Sequence, residues 1–162
     1  MATKVTLTSV FKCPASAVFG ALTDTAVLAE VMAESESLDP VVEVNSRSGH
    51  VEIHIRRGFE QQWPALVSSF IGKRLQIEEE RRWQQTGDNS WEGVLQLRSP
   101  GLPIEVTANL RLYEASAGSE LAISGLVRCS VPLIGGKVEQ LAADLVKDAF
   151  EHESEVAARH CA

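Results

Sequence analysis

One strand carries charged residues where its apolar face should continue, and this stretch is the part of the sequence best suited to chemistry. Glu79, Arg81 and Trp83 keep the alternation that Leu75 and Ile77 begin, so we expect their side chains on the same inward face. An inward carboxylate and guanidinium can anchor a ligand's polar head group or take part in acid–base chemistry. The alternative is an ion pair at a strand end, and a single β-bulge would exchange the two faces.

The other reactive side chains do not form a recognisable site. The four histidines are scattered along the sequence, whereas a metal ion needs converging ligands. Gly135-Gly136-Lys137 precedes a helical segment, but Val138 stands where a phosphate-binding P-loop has Ser or Thr. The two glycines are otherwise interpreted as a sharp turn before the helix. We therefore predict no metal, no cofactor and no catalytic residue set.

The three cysteines, Cys13, Cys129 and Cys161, are odd in number and widely spaced. No Cys-x-x-Cys pair occurs, which argues against a zinc knuckle and a redox motif. Cys13 is interpreted as a small residue at a strand end and Cys129 as a core residue. Because the N-terminal residues also lack the apolar run of a signal peptide, we predict a protein of the reducing cytoplasm.

The charge of the chain limits its partners. The net charge is -7 and the isoelectric point is about 5.1. Nucleic acids and anionic membrane surfaces attract positively charged proteins, so we predict neither of them as the main partner. No apolar run is long enough to cross a bilayer, so we predict no integral membrane association. A chain of 162 residues corresponds to one domain, residues 1–162.

The hydrophobic periodicity predicts seven strands and three or four helices. A strand at residues 5–11 is followed by two short helices within residues 14–32. The segment 58–72 interrupts the alternation with large apolar residues, and we interpret it as a loop with a short helix and as a candidate lid. The remaining strands are predicted at residues 42–45, 51–56, 75–83, 91–98, 104–112 and 121–131.

The last segment has the spacing of a long amphipathic helix. Its apolar stripe consists of Val138, Leu141, Ala142, Leu145, Val146 and Ala149. Consecutive strands at hairpin spacing make an antiparallel meander, whose apolar face must be covered. We therefore predict an α+β protein in which a curved antiparallel sheet of about seven strands wraps round the C-terminal helix, in the order β-α-α-β6-α.

This order resembles the helix-grip superfamily, which includes START-like (SRPBCC) and birch-pollen-allergen-like proteins. The segment CPASAVF at residues 13–19, followed by LTD at 22–24, resembles the superfamily's opening. The segment VPLIGGKVE at residues 131–139 is similar to a bacterial branch named domain of unknown function 2505. The resemblance implies a pocket between sheet and helix in which members bind lipids, sterols, polyketides or plant hormones, and in which some members act as cyclases or hydrolases.

The resemblance and the pattern together predict a binding protein for a small hydrophobic molecule, with no catalysis of its own. The alternatives are a cyclase- or hydrolase-like enzyme that uses the same cavity, and an interaction protein with a filled core. Inward polar groups distinguish the first two, because an enzyme should place several deep in the cavity. The predicted cavity walls are Trp63, Phe70, Glu79, Arg81, Trp83, Trp91, Leu95, Leu110, Leu141 and Leu145.

Overall fold

The computed structural model describes residues 2–161, which form seven strands and four helices. In chain order the elements are β1 (Thr3–Phe11), α1 (Ala15–Leu22), α2 (Thr25–Glu34), β2 (Leu38–Arg47), β3 (His50–Glu60), α3 (Ala65–Ile71), β4 (Arg74–Gly87), β5 (Ser90–Arg98), β6 (Ile104–Ala115), β7 (Gly118–Cys129) and α4 (Gly135–Cys161). The predicted α+β helix-grip fold is confirmed, including the short helix inside the segment 58–72.

All strands belong to one antiparallel sheet in the order β1-β7-β6-β5-β4-β3-β2. Strands β2 to β7 pair with their neighbours along the chain, and β1 pairs with β7. Inward residues are buried and outward ones exposed most clearly in the middle of the sheet, where β6 alternates strictly from Ile104 to Leu112. The alternation observed in the sequence is therefore the alternation of the pleat.

The two short helices lie between β1 and β2 and begin at recognisable residues. Pro14 precedes α1, and the side chain of Asp24 accepts a hydrogen bond from the backbone N–H of Ala26 at 2.8 Å to cap α2. Among residues 2–161, no single helix is long and apolar enough to cross a membrane. Only α1 and α2 taken together reach that length and composition, with a bend of 66° between them.

The long helix α4 starts earlier than the sequence suggested. Gly135 and Gly136 form its first turn, so the prediction that they make a turn before the helix was wrong. The reason is a close approach: a Cβ on Gly135 would lie 2.7 Å from the carbonyl oxygen of Cys129. Glycine therefore allows the helix to begin directly against the end of β7.

Helix α4 lies closest to β1 and β7 and also contacts α1 and α2. Its most buried apolar residues include Val146, Phe150 and Val156, whereas Leu141 and Leu145 of the predicted stripe are only half-buried. The helix thus rests on one side of the sheet, and the half-buried leucines point toward the other side.

The core beneath α1 is tightly packed, and we call it the filled end. Phe19 of α1 stacks on Trp91 with 4.6 Å between ring centroids and meets Trp83 edge-on at 5.6 Å. Leu95 and Leu110 belong to the same cluster and are at most 2% exposed. Aromatic pairs in these geometries add stability beyond the area that they bury.

A disulfide joins Cys13, just before α1, to Cys161, the last residue of α4. Cys13 follows the end of β1 as predicted, but the sequence analysis did not identify its partner, because the two cysteines are 148 positions apart. Cys129 is free and buried, and burial raises the pKa of its thiol.

Candidate functional site: a cavity between the sheet and α4

The other half of the grip is hollow. A cavity of about 350 Å³ lies between α4 and strands β3 to β6, with α3 along one side. It exists because α4 rests on β1 and β7 and therefore stands away from the middle of the curved sheet. We call this half of the molecule the hollow end.

Two hydrophobic clusters meet at the cavity. The main cluster contributes Val106, Val146 and Phe150, and a second cluster contributes Val67 and Val138. The half-buried residues of α4 complete the apolar wall, namely Leu141, Ala142, Leu145 and Ala149. Their partial exposure is explained by the space that they face.

A buried ion cluster forms part of the wall. Arg81 of β4 donates two hydrogen bonds to the carboxylate of Glu153 in α4, at 2.6 and 2.8 Å, and a third to Glu79. The three residues are only 3–4% exposed, and Phe150 lies under the guanidinium at 5.1 Å. The cluster is the polar link across the gap between the sheet and α4.

Each charged group of the cluster has a partner of opposite charge. Burial opposes the charge on Arg81, but the carboxylates of Glu153 and Glu79 outweigh it, so the pKa of Arg81 is raised. The carboxylates in turn receive charge-assisted hydrogen bonds. The inward parity predicted for Glu79 and Arg81 therefore matches the structure, which places them within the wall and not at a fraying strand end.

A second buried arginine, Arg57 of β3, lies beside this cluster and is 6% exposed. Its Nη1 donates to the sulfur of Met32 at 3.2 Å and to the hydroxyl of Ser37 at 3.4 Å, and its guanidinium lies 4.8 Å from the ring of Phe59. Among the residues that the structure describes, no acceptor lies within hydrogen-bond distance of its Nε.

The electrostatics of Arg57 differ from those of Arg81. Burial lowers the pKa of Arg57, and Glu79 and Glu153 offset this only through space. Arginine nevertheless stays protonated in proteins. When all four groups are ionised, the ion cluster and Arg57 together contain two guanidinium groups and two carboxylates, and their net charge is zero.

Trp63, which precedes α3, brings a further donor to the cavity. Its indole Nε1 is buried and has no acceptor within residues 2–161. The same is true of Trp83 at the filled end, so an orphan indole does not by itself mark a binding site. Trp63 differs because it lines an open space.

The ten predicted wall residues divide between the two ends. Five of them line the cavity: Trp63, Glu79, Arg81, Leu141 and Leu145. Four belong to the filled end instead: Trp83, Trp91, Leu95 and Leu110. Phe70 packs in the second cluster beside the cavity without lining it. All four residues of the filled end have the predicted inward parity, but they are packed in the main hydrophobic cluster, where Phe19 covers the two tryptophans.

Two charged residues of the wall were missing from the prediction. Arg57 has the same parity as Ile53 and Ile55 on β3, so the alternation already indicated that it points inward. Glu153 follows Phe150 and Val146 on the buried face of α4, and helical spacing alone would have indicated it. Glu139 of α4, which the apolar stripe does not include, is also buried, and it accepts a hydrogen bond from the backbone N–H of Cys129 at 3.0 Å.

A second hollow, of about 460 Å³, lies on the outer face of the sheet. Its lining is largely charged and includes His54, Arg56, Glu78 and Glu80. Arg98 forms an ion pair with Glu78 there at 3.1 Å, with 74% of the Arg98 side chain exposed. A solvated, charged concavity of this kind is typical of the outer face of a curved sheet, and it lacks the apolar wall of a ligand site.

The comparisons with known proteins agree with the fold. Residues 6–161 match the family described as "Protein of unknown function (DUF2505)". No curated protein matches the sequence. The chain is similar in structure to TTHA0849 from Thermus thermophilus, with 15% identity, a TM-score of 0.64, and 98% of this chain and 97% of that chain covered.

Two further structures show how widely the fold is used. Ara h 8.0201 is 12% identical over 97% of this chain and 98% of that one, with a TM-score of 0.56. Dicamba monooxygenase bound to 3,6-dichlorosalicylic acid is 12% identical, with a TM-score of 0.56, and the match covers 98% of this chain but 49% of that one. At these identities the likeness shows the fold alone.

Proposed function

Because the chain belongs to the DUF2505 family and has the helix-grip fold, we propose that it binds a small hydrophobic molecule in the cavity between the sheet and α4. The observation that carries this proposal is the cavity itself, with its apolar wall and a few buried polar groups. Ligand pockets of proteins have volumes of about 300–1,000 Å³ and this mixture of wall residues.

The contrast with the filled end supports the proposal. Close-packed interiors leave few voids larger than a water molecule, and empty space costs stability because the lining atoms lose contacts. The cavity walls are held apart by residues that pack elsewhere, so an occupant would recover those contacts. A filled-core interaction protein would have no reason to keep this space.

Buried carboxylates in the cavity wall favour one second candidate, a cyclase- or hydrolase-like enzyme. Glu79 and Glu153 are the titratable acceptors that such chemistry would use. Both carboxylates, however, already accept hydrogen bonds from Arg81, which orients them toward the guanidinium and not toward the cavity. The geometry therefore favours binding over catalysis.

Native mass spectrometry of the purified protein, followed by denaturing extraction, tests the proposal. We expect an additional mass that is present only in the native spectrum and that belongs to an apolar compound. A clean spectrum, with no thermal shift against fatty acids, sterols and aromatic polyketides, would contradict the proposal and favour the interaction protein.

A pair of variants on α4 makes the test specific to the cavity. Ala149→Phe fills the space that Ala149 faces, and we expect it to lower ligand affinity by about tenfold or more, without loss of the folded state. Ala158→Phe is the matched control, because Ala158 is exposed on the same helix. Equal affinity in both variants would place the ligand elsewhere.

We propose a cytoplasmic location for the protein. The disulfide between Cys13 and Cys161 bears against it, because disulfides persist mainly in oxidising compartments. Counting free thiols in protein taken directly from its native cells decides the matter: three free thiols fit the reducing cytoplasm, and one free thiol, that of Cys129, fits an oxidising compartment.

A further inference from the structure

We propose that the ligand presents an uncharged oxygen acceptor, such as a carbonyl group, to the guanidinium of Arg57. This inference rests on the proposed function and assigns the polar end of the ligand. Arg57 lies at the boundary between the ion cluster and the apolar wall, so its partner would be an amphipathic molecule with its apolar part in the cavity.

The unused donors of Arg57 are the first observation. Its side chain is more than nine-tenths buried, and only Nη1 has partners, a thioether sulfur and a hydroxyl at 3.4 Å. Within residues 2–161 its Nε has no partner, and no hydrogen bond is made by Nη2. A buried charged donor without an acceptor costs more than a lost neutral hydrogen bond, so a protein gains by supplying one.

Charge balance identifies the kind of acceptor. The charges of Arg57 and Arg81 are balanced by those of Glu79 and Glu153. Nε and Nη2 of Arg57 therefore lack a hydrogen-bond acceptor, but the guanidinium does not lack a counter-charge. A ligand carboxylate would give the buried ion cluster and Arg57 together a net negative charge. A ligand ammonium group has only N–H donors, so it could not accept a hydrogen bond from Arg57. A neutral carbonyl or ether oxygen satisfies Nε or Nη2 without adding a buried charge.

The rest of the wall leads to the same conclusion. Among the described residues, two that line the cavity carry a buried side-chain atom without a partner, Nε of Arg57 and Nε1 of Trp63, and both atoms are donors. The buried carboxylates are engaged by Arg81. The cavity therefore offers donors to a ligand that must bring acceptors.

Nε is buried, so a ligand reaches it only if the guanidinium turns. The contacts that hold it are the weak bond to the sulfur of Met32 and the long one to Ser37. The ring of Phe59 lies 4.8 Å from the guanidinium carbon, so it contacts the group without accepting a conventional hydrogen bond. A bound carbonyl would fix the guanidinium through a charge-assisted hydrogen bond.

Four probes with ten-carbon skeletons test the inference: octyl methyl ketone, decanoate, decylamine and decene. Their affinities are measured by displacement of the neutral fluorophore N-phenylnaphthylamine from the wild-type protein. We expect the ketone to bind about tenfold or more tightly than decene, because a hydrogen bond to a charged group is worth that factor. Tighter binding of decanoate or decylamine than of the ketone would overturn the inference.

The variant Arg57→Met removes the donors while it keeps an unbranched side chain. We expect the preference for ketone over decene to disappear, so that the two affinities of the variant lie within about twofold of each other. Arg56→Met is the matched control, because Arg56 is the next residue on β3 and lies exposed on the outer face. If Arg57→Met keeps the ketone preference, the inference is wrong.

The probes separate this inference from the proposed function. Absence of fluorophore and probe binding in the wild type contradicts both proposals. Equal binding of ketone and decene leaves the hydrophobic cavity in place but overturns the assignment of Arg57. Because that comparison uses only wild-type protein, the test holds even if Arg57→Met does not fold.

Discussion

The filled end and the hollow end are built from the same sheet with the same alternation, yet they differ in what covers the inward residues. At the filled end, α1 rests its Phe19 on Trp91 and Trp83, and the inward residues are covered by direct contact. At the hollow end, α4 stands away from β3 to β5, and an ion cluster spans the gap. Inward parity therefore identifies buried residues but not whether they face a neighbour or a space.

The difference also separates two sources of rigidity. Packing at the filled end gains stability from buried area and aromatic contacts. The ion cluster at the hollow end gains little net stability, since desolvation offsets the attraction between its charges. It does fix the separation between β4 and α4, which is what a pre-formed cavity requires.

The largest effect is expected from breaking the ion cluster. Glu153→Ala removes the two-bond partner of Arg81 and leaves the guanidinium buried with Glu79 alone. We expect the free energy of unfolding, measured in urea, to fall by about 3–5 kcal/mol. Glu80→Ala is the control, because Glu80 and Arg82 pair at 2.5 Å in a more exposed setting, and we expect a loss within about 1 kcal/mol.

That comparison has a clear contrary result. Equal losses for Glu153→Ala and Glu80→Ala would mean that the buried cluster contributes no more than a surface pair. The separation of β4 and α4 would then depend on packing alone, which is also what stabilises the filled end.

The next prediction compares the same substitution at the two ends. Leu95→Ala opens a cavity at the filled end, where Leu95 is 0% exposed, and we expect a loss of about 2–5 kcal/mol. Leu145→Ala removes atoms that already face a space, and we expect a loss of about 1 kcal/mol. The effects on ligand affinity are expected in the reverse order, with a change only for Leu145→Ala. Equal urea midpoints in the two variants would contradict the division into filled and hollow ends.

The sequence predicted the sheet, the helices and the inward face of β4, because these depend on local periodicity. It did not predict which inward residues meet the cavity, because that depends on where α4 comes to rest. Trp91 and Leu145 have equally good apolar patterns, but one is covered by Phe19 and the other faces a space. The position of α4 is set by contacts between residues far apart in the chain, which no short window contains.

The charged residues of the site show a second limit. Arg57 and Glu153 follow the buried parity of their elements, but a count of apolar residues passes over them. Helical spacing indicates that Glu153 is buried, but its ion pair across the gap follows only from Arg81 lying opposite. Charged residues are rarely buried unless they are paired, and the partner of each one is known only from the folded chain.

The third prediction concerns the disulfide, which links the filled end to the last residue of α4. Replacing both cysteines, Cys13→Ser with Cys161→Ser, is expected to lower the free energy of unfolding by about 2–4 kcal/mol. Ligand affinity should stay within about twofold of the wild type, since neither cysteine lines the cavity. Reductant should destabilise the wild type and leave the double variant unchanged, and an equal response in both would contradict a disulfide in solution.

The smallest effect is expected at the rim of the hollow end, where α2 meets α4. Glu34 accepts hydrogen bonds from Arg159 at 2.7 and 2.8 Å, and it lies 3.1 Å from His152. The hydrogen bonds from Arg159 and then His152 lower the pKa of Glu34 below its ordinary value of 4.5. A carboxyl group whose pKa is lowered by folding stabilises the protein fully above its unfolded pKa, and this contribution is lost as the pH falls through the folded value.

Glu34→Gln should therefore lower the melting temperature at about pH 6, and its effect should shrink as the pH falls through the lowered pKa of Glu34. Glu36→Gln is the control, because Glu36 is exposed just after α2, and among the described residues no ion pair involves it. A difference between wild type and Glu34→Gln that does not change with pH would show that the α2–α4 contact does not depend on this charge. The rim would then be held by the apolar faces of the two helices, as the filled end is, and the electrostatic part of the hollow end would be confined to the buried cluster around Arg81.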